Sequence, residues 1–225
     1  MIRVRWVTFD CFGTLVDWLS GFTAILTPLF GDQTADVVRA YDRFERALEA
    51  ETPHRLYKDV LITGLLRAAG DVGVPLSEAR ARRLPQQWGT MPVFEDVEPM
   101  LAGLRADGCR LAVLTNCDED LFAETRRAFR VPFELVVTAE RVRDYKPSLA
   151  HFRYFSRVSG AKDSEWVHVA NSAYHDIAPA RTLGILRVWL DRDDTGEDPA
   201  TASARVRSAT HVREAVASLY RAGQR

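Results

Sequence analysis

The sequence predicts an α/β fold, a doubly wound parallel sheet interrupted by an all-helical insertion, on three observations. The run from Val4 to Phe9 is apolar, β-branched and aromatic, and reads as a buried strand. From Glu95 onward, strand-like and helix-like segments alternate, the pattern of parallel βαβ units. Between these parts, over residues 16–93, only helical spacing is found.

The first strand ends at Asp10, ahead of Cys11, Phe12, Gly13 and Thr14. Trp18 to Phe30 keeps apolar residues at helical spacing and stops near Gly31 and Asp32. Thr34 reads as the cap of a second helix through about Glu51, with Val37, Val38, Tyr41, Phe44 and Leu48 on one stripe. Thr52-Pro53 breaks it, Leu56 to Ala69 reads as a third helix stopped by Gly70, and Ser77 caps a fourth. Pro92 and Pro99 bracket the return to βαβ pattern. Helices are then expected at 98–107, 121–129, 147–159, 177–183 and 211–220. Strands are expected at 110–114, 135–138, 166–170 and 187–190. The polar stretch Asp191–Ser208, with Gly196 and Pro199, reads as a loop.

At 225 residues and 47% apolar content the chain can bury one core plus a large insertion. A net charge of −1 leaves no basic footprint for nucleic acid. No apolar run is long enough to span a bilayer, and the N-terminal stretch reaches Asp10 too soon for a signal peptide. The three cysteines, Cys11, Cys109 and Cys117, form no CxxC pair, against both a disulfide framework and a zinc site. A cytoplasmic, reduced protein is expected, with assembly as a homodimer left open.

Polar residues recur at the strand ends: Asp10, Thr115-Asn116, and Asn171 with Asp176 shortly after. In open α/β sheets ligands bind outside the carboxyl ends of the strands, so these residues and Lys146 make a candidate site. A carboxylate after a buried strand, with a glycine to turn the backbone, is placed to act as a nucleophile. Each residue also has a plain structural role open to it. Asp10, Thr115, Asn116 and Asp176 can cap turns or helices, Lys146 can sit in solvent, and His175 can be simply hydrogen-bonded.

These residues carry a resemblance. DCFGTLVD at 10–17, LTN at 114–116, YKP at 145–147 and VANSAYHD at 169–176 resemble, in order, the four motifs of the haloacid dehalogenase superfamily. The resemblance covers nearly the whole chain. It implies a Rossmann-like core at 1–15 and 94–225 and a mobile helical cap at 16–93. It implies that Asp10 is a nucleophile forming an ester with the substrate, that Lys146 neutralises charge beside it, and that Asp176 positions or activates water. Thr14, Thr115 and Asn116 would bind the substrate's anionic group. As a strand-end residue adding little packing, Lys146 is expected to be replaceable by Met with folding near normal.

Position 12 narrows the branch. Phosphatases of this superfamily carry a second Asp there, which protonates the leaving alkoxide; Phe12 has no proton to give. Asn171 stands where phosphatases usually have another Asp, so no metal and no cofactor are expected. FDCFGTLVDW resembles the type II (S)-2-haloacid dehalogenases and, more closely, the L-azetidine-2-carboxylate hydrolase, which also shares features at Trp18, 51–59 and 174–180. Phe12 and Trp18 would wall the substrate carbon, Trp18 being equally readable as core. Phe152, Asn171 and Ala173 depart from the dehalogenases. Their halide-binding arginine lies in the cap; Arg43 is the candidate, with Arg39 and Arg46 on the same helix face, which can equally be solvated with Arg46 pairing Glu45 or Glu49. The resemblance implies metal-independent hydrolysis of a small 2-substituted carboxylate, a 2-haloacid first. Ring opening, magnesium-dependent phosphate-ester hydrolysis and a non-catalytic binding protein are the alternatives.

Overall fold

A computed structural model describes residues 5–194 and 198–222, so Val4 and Gly196 lie outside the described residues. The first strand, β1 (Arg5–Phe9), is followed by five helices: α1 (Trp18–Phe30), α2 (Thr34–Glu49), α3 (Tyr57–Asp71), α4 (Glu78–Ala81) and α5 (Arg83–Gln86). Helix α6 (Val97–Ala106) then leads into β2 (Cys109–Thr115), α7 (Glu119–Thr125), β3 (Leu135–Thr138), α8 (Ala139–Val142) and α9 (Ala150–Ser159). The chain continues as β4 (Trp166–Ala170), α10 (Ala178–Thr182), β5 (Leu186–Leu190), β6 (Ala204–Val206) and α11 (Val212–Ala222).

The six strands form one sheet in the order β3-β2-β1-β4-β5-β6, and every neighbouring pair is parallel. The chain runs outward from β1 to β3 on one side, then returns to β4 on the other. The reversal falls beside β1, and a crevice opens there at the carboxyl ends of the strands. Parallel sheets need cover on both faces, which explains why β1 is an unbroken apolar run without alternation. Val7 and Phe9 join the larger core, while Trp6 packs on the other face with Leu114, Phe155 and Trp166.

The helices between β1 and β2 form under ordinary rules. Asp17 caps α1 by accepting from the Ser20 backbone N–H at 3.1 Å. Helix α2 turns Val37, Tyr41 and Leu48 inward, and they join the same apolar core as Val7 and Phe9. Two chain crossings link this helical part to the sheet, and they lie side by side. Val16 and Val93 form an antiparallel bridge, and the Asp17 N–H donates to the Pro92 carbonyl at 2.8 Å. A further clasp comes from the loop after β2. Asp118, fully buried, accepts from the backbone N–H groups of Tyr57 (2.8 Å) and Lys58 (2.9 Å) at the start of α3.

Several expectations are corrected. Thr34 does not cap α2; it is the first helical residue, and its hydroxyl donates back to the Gly31 carbonyl at 2.6 Å. The helix expected at 147–159 starts three residues later, at Ala150, so Lys146 stands in the turn before it. Its stop at Gly160 holds, through a left-handed φ of 67° that glycine adopts without cost. The helix expected at 121–129 is α7 followed by a tight turn over Arg126–Ala128. Residues Ala173–Ile177 form a wide π turn ahead of α10. The polar stretch read as a loop contains β6, which closes the sheet edge beside β5. A three-residue edge strand with Ala and Arg carries too little pattern to be read in advance.

Asp118→Ala should leave two N–H groups at the start of α3 without their acceptor. Losses at helix N-caps run to about 2 kcal/mol; urea denaturation should show a destabilisation of that order, with the helix content of the folded state kept.

Candidate active site

The end of β1 delivers Asp10, and the turn after it brings Thr14 back onto the same carboxylate. Gly13, with φ of 88°, permits that turn. The Thr14 hydroxyl donates to Asp10 Oδ2 at 2.7 Å while accepting from the Asn171 N–H at 2.9 Å. Lys146 approaches from the far side. Its Nζ donates to Asp10 Oδ1 (2.8 Å), to Asp176 Oδ1 (2.7 Å) and to the Leu114 carbonyl (2.9 Å), which uses all three N–H bonds of the ammonium. Lys146 is 1% exposed, so the reading of a solvated lysine fails. Burial alone would lower its pKa; Asp10 and Asp176 outweigh that, and it is held above the ordinary lysine value.

Asp176 is fixed from behind. Its Oδ1 also meets His168 Nε2 at 3.0 Å, His168 Nδ1 meets Thr8 Oγ1 at 2.8 Å, and Trp166 Nε1 donates to the same Oγ1 at 2.7 Å. Trp166 can only donate and an ionised Asp176 can only accept. Nε2–H therefore points to Asp176, and with a neutral imidazole the Thr8 hydroxyl donates to Nδ1. Burial pushes the Asp176 carboxyl up, and Lys146 and His168 more than reverse it, holding it below the ordinary carboxylate range. Its Oδ2 is buried with no hydrogen-bond partner among the described residues.

Asn116 clasps the lysine turn. Its Oδ1 accepts from the Lys146 N–H at 2.7 Å, and its Nδ2 donates to the Lys146 carbonyl at 3.1 Å and to Glu49 at 3.3 Å. These groups border a cavity of about 90 Å³ lined by Asp10, Phe12, Trp18, Glu45, Glu49 and Tyr57, among others. An outer cleft of about 400 Å³, sharing Glu49, Lys146 and His175 with it, leads to solvent past Arg46 and Tyr174.

Of the residues singled out in the sequence, Asp10, Thr14, Lys146 and Asp176 are thus brought into direct contact, with Phe12, Trp18, Thr115 and Asn116 around the cavity. The Phe12 ring packs tilted against Trp88, centroids 4.9 Å apart, and Trp18 likewise against Phe22 at 5.2 Å. Asn171 is not brought in by its side chain. Its Nδ2 donates to Asp193 at 2.8 Å and its Oδ1 accepts from the Arg192 N–H at 3.0 Å, so it orders the turn after β5. Arg43 is also elsewhere. Its side chain is 64% exposed and pairs with Asp71 at 2.7 Å. Arg39 pairs with Asp36, and Arg46 pairs with Asp42, not with Glu45 or Glu49. At about 100° per residue these arginines fall roughly opposite the buried stripe of Val37, Tyr41 and Leu48.

Two kinds of residue were missed. His168 sits inside an apolar strand and looked like one more core position; its signal is a polar residue alternating with Val167 and Val169. Glu45 and Glu49 sit one turn apart on the flank of the apolar stripe of α2, where charge ordinarily faces solvent. They line the cavity instead.

A doubly wound sheet bearing an aspartate after β1, a lysine bridging it to a second carboxylate, and a helical insertion over that site defines a hydrolase class. Residues 4–184 match the haloacid dehalogenase-like hydrolase family, and the chain belongs to it. Haloacetate dehalogenase H-2 of a Moraxella species is 22% identical over 211 residues, 88% of this chain and 93% of that one. The L-2-haloacid dehalogenase RSc1362 shares the fold with a TM-score of 0.85 at 21% identity, over 96% of this chain and 99% of that one. Phosphoserine phosphatase of Thermus thermophilus is 33% identical over 110 residues, 48% of this chain, and the match spans 44% of that protein's length. No helix among the described residues is long and apolar enough to cross a membrane.

The buried position of Lys146 overturns the expectation that Lys146→Met folds near normally. Removing one partner of a buried ion pair costs about 3–5 kcal/mol. Asp176, whose folded pKa is depressed, contributes stability that is present above about pH 4 and lost as pH falls through its folded value. Lys146, whose pKa is raised, contributes stability that is lost only as pH rises above about 10. Denaturant unfolding of wild type and Lys146→Met across pH 3–8 should therefore show a loss of several kcal/mol at neutral pH that shrinks as pH approaches the acid range.

Proposed function

We propose that this hydrolase splits a small 2-substituted carboxylic acid through an ester on Asp10, without metal. The observation that carries the reading is the Lys146 ammonium held between Asp10 and Asp176, at 2.8 and 2.7 Å. An Asp10 oxygen attacks carbon 2 and the leaving group departs with the bonding pair. Water then attacks the ester carbonyl, and Asp176 takes its proton and returns it to the departing 2-hydroxyl oxygen. The water oxygen stays on Asp10, and the second water proton is released to solvent as the Asp10 carboxylate re-forms. Lys146 keeps the nucleophile ionised and stabilises the oxyanion at the ester. His168 holds Asp176 with Oδ2 toward the water. The cap, residues 16–93, closes over the core (1–15 and 94–225) at the paired crossings of Val16 and Val93, and expels water around the ester.

The family also includes phosphatases, and the donor set here does not fit their magnesium. Mg²⁺ demands near-octahedral oxygen ligation. Lys146 already stands between the two carboxylates, Asn171 is turned to residues 192–193, and Phe12 offers no oxygen. Among the described residues no group of three His, Cys, Asp or Glu side chains is arranged to hold a metal.

Single-turnover reaction of a 2-haloacid in heavy-oxygen water with EDTA present should place the label in the Asp10 side chain, read by peptide mass. Label going straight into product, with Asp10 unlabelled, means that water attacks the substrate directly; turnover abolished by EDTA and restored by magnesium favours the phosphatase.

A second reading, ring opening with nitrogen as the leaving group, is favoured by one observation: Arg39 and Arg43 face solvent on acidic partners of their own. Arg43→Ala and Arg39→Ala should each leave haloacid turnover within tenfold of wild type, a change under about 1.4 kcal/mol of transition-state stabilisation. A larger loss in kcat/KM for either would assign that arginine to the halide.

A further inference from the structure

The wall of the cavity facing Asp10 from the cap is acidic. Glu45 Oε1 accepts from the hydroxyls of Tyr57 (2.6 Å) and Tyr41 (3.1 Å). Glu49, one helical turn further, accepts from Asn116 Nδ2 at 3.3 Å, and its other oxygen lies 3.9 Å from His175 Nε2. With Asp10 and Asp176, four carboxyl groups border this cavity against the single ammonium of Lys146. That ammonium has no N–H left to offer, since Asp10, Asp176 and the Leu114 carbonyl take all three. Independently of the two glutamates, Asp176 also lines this cavity, and its Oδ2 is buried without a hydrogen-bond partner among the described residues. Such a surrounding rewards a cation beside the glutamates.

We propose that Glu49, with Glu45 beside it, binds a positively charged nitrogen of the substrate, so that the site takes small zwitterions whose protonated amine lies within a bond or two of the carbon that Asp10 attacks. This rests on the reading of Asp10 as the group that meets the substrate carbon. It also resolves the missing acid at position 12. A protonated ring nitrogen already carries the proton its departure requires: the Asp10–carbon bond forms, the carbon–nitrogen bond breaks, and the bonding pair leaves on nitrogen as a neutral amine. Burial pushes both glutamate carboxyls above their ordinary range, and a cation seated between them offsets that cost. The cavity is small, about 90 Å³, and opens onto the wider outer cleft past Glu49 and His175, as a small substrate requires.

Binding separates this from the chemistry. In the Asp10→Asn background, which forms no ester, calorimetric titration should compare L-azetidine-2-carboxylate with cyclobutanecarboxylate, its nitrogen-free analogue of the same size. The imino acid should bind at least tenfold tighter. Adding Glu49→Gln should erase that preference while leaving cyclobutanecarboxylate affinity within twofold, and Glu45→Gln should reduce it. Equal affinities, no binding of either compound, or a preference that survives both substitutions would overturn the proposal. Heavy-oxygen labelling of Asp10 is read on the wild-type protein and stands or falls separately.

Discussion

The structure depends on one ammonium held between two carboxylates in a place that water barely reaches. Burying three charges is expensive, and their mutual attraction repays the cost only if geometry is tight and every remaining donor is used. Each neighbouring element meets that requirement. The parallel register of β1 with β4 aligns Phe9 with Val169, so that the loops after them put Asp10 and Asp176 on either side of Lys146 Nζ. The third N–H goes to the Leu114 carbonyl near the end of β2, and Asn116 grips the lysine's own backbone on both sides. Thr14 and His168 bond Asp10 Oδ2 and Asp176 Oδ1, leaving Asp176 Oδ2 as the one carboxylate oxygen of the pair without a partner among the described residues. A half-satisfied version of this network would be worse than an apolar core.

That network explains why the sheet carries polar residues deep in its centre. Thr8 and His168 are both fully buried in strands that otherwise read as apolar. Neither is tolerated there alone, because an unpaired buried donor or acceptor costs about 1–3 kcal/mol. Together with Trp166 they form a hydrogen-bonded chain, and the chain ends on the carboxylate. The rigidity of the strands is thereby transferred to Asp176. Phe152, packed at 5.0 Å from the His168 ring, closes the remaining side with an apolar edge.

Much of this was legible in the sequence, for identifiable reasons. The strand over Trp166–Ala170 and the helix over Trp18–Phe30 fell where the pattern put them, because buried strands are continuous apolar runs and this helix keeps apolar residues at helical spacing. Asp10, Lys146 and Asp176 stood out because they recur at the ends of strands or in motifs of known order. The rest failed where a side chain had two surfaces to choose between. Arginine spacing on α2 could not say which face meets the site, and tertiary packing turned that face outward while bringing Glu45 and Glu49 in. Asn171 occupies a strand end, yet its amide finds two partners in the turn at 192–193 and is spent there. Edge strand β6 pairs through its backbone, which sequence polarity does not report.

Two positions, 12 and 171, shape the surroundings of Asp10 and Lys146. Phe12 puts a ring beside Asp10, packed against Trp88, at a position that offers no oxygen acid. Without that acid, a poor leaving group such as an alkoxide has no proton donor at this position, while a halide or a protonated ring nitrogen needs none. At the fourth strand, the amide of Asn171 leaves the anionic charge beside Lys146 at two carboxylates instead of three. One lysine with three N–H bonds and one carbonyl can satisfy two carboxylates; a third would require a further cation, which in a phosphatase the metal supplies. The Lys146 geometry and the side chains at positions 12 and 171 are therefore parts of one electrostatic arrangement around Asp10 and Asp176.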